Sequence, residues 1–364
     1  MKEKKGLGEI GRREERREGR ERRRIVMMMM VVMVMGCNSG GVKDPEKVFL
    51  SEMVNLGKGF MEVFVSFGDM ITGTLGIKAD TKKSEIGGYF SKIENTMKVV
   101  KGKLGKILEE HGSYEKVKEK VEEFIGKISK IEEGAKKAAL GATDSAVIGG
   151  VVKSDSAGNG PGAESMKNLV EGIKGIVDLV IREGDGQADK TSPADADKKG
   201  IGKLFGAENK ADKGAEEKHI AAASASIGAV SGSDILKAIA GANVDAKKDG
   251  KVSEAEDAAS LALAKGTGTA NEDQIKESAK KDAIIAAGIA LRGMAKDGKF
   301  IVKEIGNNKT EAESAKGVAA NAINKVLSTL IIAIRNAVDG GLKEINKVLG
   351  EIKQGEGSET KVSE

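Results

Sequence analysis

The stretch Phe90-Ser91-Lys92-Ile93-Glu94-Asn95-Thr96-Met97-Lys98-Val99-Val100-Lys101-Gly102-Lys103-Leu104-Gly105-Lys106-Ile107 sets the fold class. Its apolar residues Phe90, Ile93, Met97, Val100, Leu104 and Ile107 recur at alternating steps of three and four, which draws one stripe along a helix. Ser91 and Glu94 have the spacing of a capping box that would open it. The same steps return in Tyr114, Val117, Val121, Phe124, Ile128 and Ile131, with His111-Gly112-Ser113 as the turn between the two. Upstream, Phe49, Met53, Leu56, Phe60, Val63, Phe67 and Met70 form a third stripe. Three amphipathic helices on short connections predict an antiparallel bundle.

Toward the C-terminus the pattern loosens and then returns. Residues 141–162 read as a long polar loop, followed by a short helix with Leu169, Ile173, Ile176 and Val180 on one face and a loop over 184–197 containing Pro193. Residues 198–264 alternate alanine-rich helical pieces with small polar turns, among them 206–209 and 248–250, and 266–269 is one more turn. From Lys280 to Lys303 the chain is apolar on more than one face, through Ile284, Ile285, Ile289, Leu291 and Met294, as a buried helix is. Asp297-Gly298 ends that helix in this reading. Thr310 with Glu313 predicts a second capping box. The last helix then carries Val318, Ile323, Leu327, Leu330, Ile334, Val338, Leu342, Ile345, Leu349 and Ile352, with a bend expected at Gly340-Gly341 and core packing expected for 326–338. The fold expected is all-α: an elongated helical bundle of long terminal helices with a loop-rich middle of shorter helices, about 141–270.

The N-terminus has a different character. Eight of the eleven arginines precede residue 25, and an uninterrupted apolar run, Ile25 to Met35, follows them. It ends at Gly36-Cys37, which holds the only cysteine of the chain. Eleven apolar residues are too few to span a bilayer, which takes about 20, and fit the core of a secretory signal. Charged, apolar, small residue, cysteine is the order of a bacterial lipoprotein signal, so cleavage is expected between Gly36 and Cys37 and a lipid on the Cys37 thiol. The organisation expected is a signal peptide over 1–36, a tether over 37–47, one helical domain over 48–354 and a disordered tail over 355–364.

The chain has 60 Lys+Arg against 56 Asp+Glu, but residues 1–24 hold 11 of the basic and 6 of the acidic side chains, leaving 49 against 50 beyond them. This near-balance, with the signs interleaved, excludes a nucleic-acid footprint, which needs basic residues gathered on one face. With no Trp, two Tyr and eight Phe, the core must be aliphatic, and a lone cysteine allows no disulfide within the chain.

Motifs that carry chemistry are scarce. Asp245, Asp249, Gly250 and Glu256 stand at positions one, five, six and twelve of a calcium loop, but Lys247 at position three replaces a ligand with a cation. An Asp-Gly turn followed by a Ser253–Glu256 capping box is the better reading. His111 and His219 have no metal-ligand spacing and read as surface residues on charged helices. There is no G-x-S-x-G elbow and no GxxxxGK[ST] loop. No catalytic residue, metal or cofactor is expected, and the chain does not read as an enzyme.

The run Ala290-Leu291-Arg292-Gly293-Met294-Ala295-Lys296-Asp297-Gly298-Lys299-Phe300, with Gly57-Lys58-Gly59-Phe60 and Asn324-Lys325-Val326-Leu327, resembles the variable large proteins of Borrelia spirochaetes and the related Lyme antigen VlsE. The resemblance covers essentially the whole chain beyond the leader and is loosest over 141–270; the acidic, arginine-rich 1–24 departs from it. It implies an α-helical lipoprotein, held in the bacterial outer membrane by its N-terminal lipid and exposed on the surface. The function it implies is antigenic variation, with host antibodies as the partners evaded. The alternative is an adhesin or complement-binding lipoprotein that engages a host serum or matrix protein.

Overall fold

The computed structural model describes residues 77–111, 115–153, 160–208, 210, 213–266, 272–305 and 310–359. The stripe at 49–70, Gly36 and Cys37, and Gly112-Ser113 of the predicted turn lie outside the described residues. Among those described are nine α-helices, short 3₁₀ turns and one two-stranded sheet.

The stripe at 90–107 belongs to α1 (Lys83–His111). Ile86, Phe90, Ile93, Met97, Val100 and Leu104 are buried on one face, as the steps of three and four require. The helix begins earlier than Ser91. Its first turn is closed at Lys82, whose N–H donates to Glu85 Oε1 at 3.1 Å and which bridges antiparallel to Val147. Ser91 is therefore inside the helix, and Glu94 pairs with Lys98 at 2.5 Å instead of capping. α2 (Glu115–Gly141) buries Val117, Val121, Phe124, Ile128 and Ile131. It runs antiparallel to α1, with Gly87 beside Ala142 and Lys101 paired with Glu132.

The described parts of the 141–162 stretch, 141–153 and 160–162, are more ordered than their composition implies. Ala142 and Ile148 are buried, and β1 (Val151–Lys153) follows. β1 pairs in parallel with β2 (Phe300–Val302), Val151 opposite Phe300 and Lys153 opposite Val302. α3 (Ala163–Val180) is a full 18 residues long and buries Leu169, Ile173 and Ile176. It lies so close on α2 that a Cβ on Gly134 would stand 2.7 Å from Gly172 O, and one on Gly172 would stand 2.4 Å from Ala138 N. Glycine here permits a backbone-to-backbone approach that no side chain allows.

The middle of the chain folds as short helices: α4 (Asp195–Gly200), continued by a 3₁₀ turn at Ile201–Leu204, then α5 (Glu217–Ala229), α6 (Gly232–Ala240) and α7 (Ala258–Leu263). α4 begins inside the segment read as a loop over 184–197. α8 (Asp282–Met294) is buried at every one of its 13 residues and packs against α5, α6 and α7. It stops at Met294, before Asp297-Gly298, because the chain is extended from Ala295 (ψ 143°). α9 (Thr310–Glu359) packs against α2, α3, α5, α6 and α8. It passes Gly340-Gly341 as one helix, and Gly341 is where a Cβ would meet the Phe124 ring at 2.2 Å. That glycine makes room for a ring; it does not interrupt the helix. Thr310–Ile345 is long and apolar enough, by length and composition only, to cross a membrane. Here Val326, Leu327, Leu330, Ile334 and Val338 are buried against other helices, as core packing predicts.

Candidate functional site: the buried helix and the turns around it

The charged groups buried most deeply gather at the two ends of α8. At its N-terminus Asp282 is 0% exposed. It accepts from the N–H groups of Lys190 and Thr191, both at 2.7 Å, and from Thr191 Oγ1 at 2.6 Å. Lys198 Nζ stands 2.8 Å away and also pairs with Asp189 at 2.5 Å. Burial opposes ionisation of Asp282, but the bonds from Lys198, Thr191 and the Lys190 N–H outweigh it and hold the carboxyl at about 2. An anion at the positive end of a helix is favourable in addition. The loop over 184–197 is thereby tied down through its backbone.

At the C-terminus Arg292 is 1% exposed. Its Nη1 donates to Ala262 O and Ala264 O at 2.8 and 2.6 Å, and its Nε to Lys299 O at 2.6 Å. The guanidinium lies 5.8 Å from the centroid of the Phe205 ring. Burial lowers its pKa to about 9, with Asp249 acting to raise it, so it stays protonated at neutral pH. Lys83, the first residue of α1, donates from Nζ to Gly293 O at 2.6 Å and Arg292 O at 3.2 Å. Sequence reasoning missed both ends. Arg292 did leave a signal, being one of three arginines beyond residue 24 and set inside an apolar run; Lys83 left none.

The residues singled out for calcium do not converge. Asp245 pairs with Lys167 at 2.8 Å, Asp249 Oδ1 accepts from Gly160 N–H at 2.9 Å, and Glu256 pairs with Lys276 at 2.7 Å. Among the described residues no three His, Cys, Asp or Glu side chains are placed to hold a metal ion. The turn is real, with Asp249 left-handed at φ 58°. The cap after it is not Ser253–Glu256, because Val252–Glu254 forms a 3₁₀ turn. The helix that follows, α7, is capped by Asp257, whose carboxylate accepts from Ala259 and Ser260 N–H, each at 2.9 Å. His219 is not a surface residue: it is 4% exposed and packs on Gly200. Burial, together with Lys203 and Lys218, lowers its pKa to about 4. The neutral ring accepts from Glu216 N–H through Nδ1 at 3.1 Å and so helps cap α5.

What solvent meets is different. Of the 290–300 run only Lys296, Asp297 and Lys299 are exposed, whereas the middle presents charged turns such as Arg182-Glu183 and Lys247-Lys248. Among the described residues the arrangement joins a bonded interior to polar turns that share no metal-ligating cluster.

Comparison with known proteins places these features. A family model described as Borrelia lipoprotein matches residues 60–349. Variable large protein 17 of Borrelia hermsii is 50% identical over 328 residues, 88% of this chain and 90% of that one. Variable large protein 4 of the same organism is 49% identical over 329 residues, 88% of this chain and 91% of that one. Among solved structures, the Lyme disease variable surface antigen VlsE of Borrelia burgdorferi is 32% identical with a TM-score of 0.70, over 84% of this chain and 100% of that one.

Proposed function

The chain belongs to the Borrelia lipoprotein family, and from that premise we propose that it is a surface antigen whose variation evades host antibody. It is anchored in the outer membrane by a lipid on Cys37, after cleavage between Gly36 and Cys37. The observation that carries this is the near full-length likeness to variable large proteins, at 50% identity over 88% of the chain. The geometry is in keeping with it: the solved relative VlsE is a variable surface antigen, and the described interior uses its buried charges on backbone groups and in pairs such as Lys198–Asp282. Physically, the buried stripes keep the fold while the exposed turns are free to change, since loops tolerate substitution better than the helices they join.

Two measurements on the expressing bacterium test the anchor and the location. Replacing Cys37 by Ala should abolish incorporation of radioactive palmitate; retained label would sink the lipid assignment. Protease added to intact cells should remove the protein, and survival under conditions that digest a known surface marker would place it beneath the membrane. The antigenic role is tested across paralogues of one genome, whose differences should concentrate in 141–270; an even spread of differences would count against it.

A further inference from the structure

Four of the short helices end without a left-handed residue. α5 leaves through Val230 in extended conformation (φ −102°, ψ 151°), α7 through Ala264 (φ −59°, ψ 150°) and α8 through Ala295 (φ −66°, ψ 143°). α6 ends at Gly241, but at φ −83° and ψ −5°. None of these is the left-handed turn with which a glycine commonly closes a helix and recaptures its last carbonyls. Among the described residues φ is positive only at Gly184, Asp249 and Asp297, and none of the three directly follows a helix end. The carbonyls of a last turn still need partners.

Backbone N–H groups serve some of them, and in each case a cation from another helix holds one or more of the rest. Lys325 of α9 donates to Ile227 O at 2.7 Å, Val230 O at 2.8 Å and Gly228 O at 3.3 Å, at the end of α5. Lys174 of α3 donates to Ala240 O, the last residue of α6, at 3.0 Å. Arg292 of α8 holds Ala262 O and Ala264 O at the end of α7. Lys83 of α1 holds Arg292 O and Gly293 O at the end of α8. Lys174, Arg292 and Lys325 also set a positive charge against the negative end of a helix dipole. The acceptors are backbone carbonyls, which every residue type provides. N-terminal caps differ in kind, because Ser231 with Asp234 and Asp257 with Ser260 are side chains of the helices they cap.

We propose that Lys83, Lys174, Arg292 and Lys325 are positioning residues that hold the short helices by their backbone, so that the exposed side chains of those helices can be exchanged without the helices losing their place. The use made of this rests on the antigenic-variation reading, whereas the clamps themselves do not. They form a relay from the long helices inward: α1 holds α8, and α8 in turn holds α7. A sequence change on the outer face of α5 or α6 leaves every clamp its acceptor.

The test uses the full chain in four forms: native, Lys325→Met, a surface exchange of α5 with Glu217, Lys218, Ala221, Ser224 and Ala225 replaced by other helix-compatible residues, and the two combined. Hydrogen exchange is read at the amides of residues 225–230. Lys325→Met should speed exchange there about tenfold, equivalent to about 1.4 kcal/mol, by the same factor within about threefold in both backgrounds. The surface exchange alone should leave protection unchanged, and Lys325→Arg should restore it. Unchanged protection in Lys325→Met, or factors that differ between backgrounds by more than about threefold, would overturn the proposal. Should Lys325→Met not fold, Lys174→Met read at the last turn of α6 decides the same question. Lipid labelling and surface protease tests are untouched by either result, so this proposal and the antigen reading fail separately.

Discussion

Lys83 donates to the last carbonyls of α8 from a site that is 1% exposed. Burial lowers its pKa from 10.5 to about 7; Asp144 and Asp297 raise it, while Arg292 and Lys299 lower it further. In the unfolded chain the amine keeps its proton up to 10.5, so between about pH 7 and 10.5 the unfolded state binds more protons than the folded one. Stability from this group therefore rises with pH across that window, by about 1.4 kcal/mol per unit and at most about 5 kcal/mol in all. Below pH 7 both states are protonated and the slope from Lys83 vanishes. Urea midpoints at pH 7, 8 and 9 should climb for the native chain, and Lys83→Met should flatten the climb; an unchanged slope would dismiss the buried charge. His219 acts on the acid side. With its folded pKa at about 4 against 6.5, stability falls as pH drops from 6.5 toward 4, because only the unfolded ring takes a proton. His219→Gln keeps an acceptor at the third helical position, where glutamine serves a capping box, and removes the titration. Its midpoint at pH 7 should stay within about 1 kcal/mol of native stability, while the difference between pH 6.5 and pH 4.5 shrinks; an undiminished difference would reject the role given to His219.

At the level of elements, the glycines sort helices that touch from helix faces that do not. A Cβ on Gly172 would meet Ala138 N at 2.4 Å, whereas one on Gly126, in the same bundle, meets nothing within 4 Å. Gly172→Ala should therefore force α2 and α3 apart, with a loss on the order of 1–3 kcal/mol from overpacking. Gly126→Ala should raise stability by about 0.5–1 kcal/mol, through the lower entropy of the unfolded chain. Thermal melts of the two variants should move in opposite directions; a shift of the same sign would mean the contact at Gly172 is not tight. The same contrast explains what could be read in advance. α1, α2 and α9 have one wet and one dry face, so Phe90–Leu104, Val117–Ile131 and Val318–Ile345 print a helical period on the sequence. α8 announced itself as apolar all round. The β1–β2 pair printed nothing, because Val151 and Phe300 are far apart in the chain and three-residue strands carry no period. The caps misled for a related reason: Ser-x-x-Glu recurs by chance in a lysine- and glutamate-rich helix, as at Ser91–Glu94, while the acting cap at Asp257 ends in serine. His219 looked exposed because its neighbours are charged, and only the approach of Gly200 shows otherwise.

For the whole molecule the consequence is a division between backbone that opens locally and backbone that opens only when everything does. Local turns fray at almost no free-energy cost, whereas a helix buried on all sides exchanges or is cut only through global unfolding, which in domains costs roughly 5–15 kcal/mol. Lys247 and Lys248 are exposed at the Asp249 turn, while Arg292 lies 1% exposed in α8 with its guanidinium bonded to three carbonyls. Trypsin acting on the full native chain should therefore cut at Lys248 at least about a hundredfold faster than at Arg292, a gap of under 3 kcal/mol that the difference between local and global opening easily supplies. Peptide mapping over time measures both rates in one digest. Urea just below the midpoint should raise cutting at Arg292 steeply and cutting at Lys248 little. Comparable rates at the two sites in native buffer would show that α8 is reached by local opening, and with that the distinction between a fixed interior and exchangeable turns would fall.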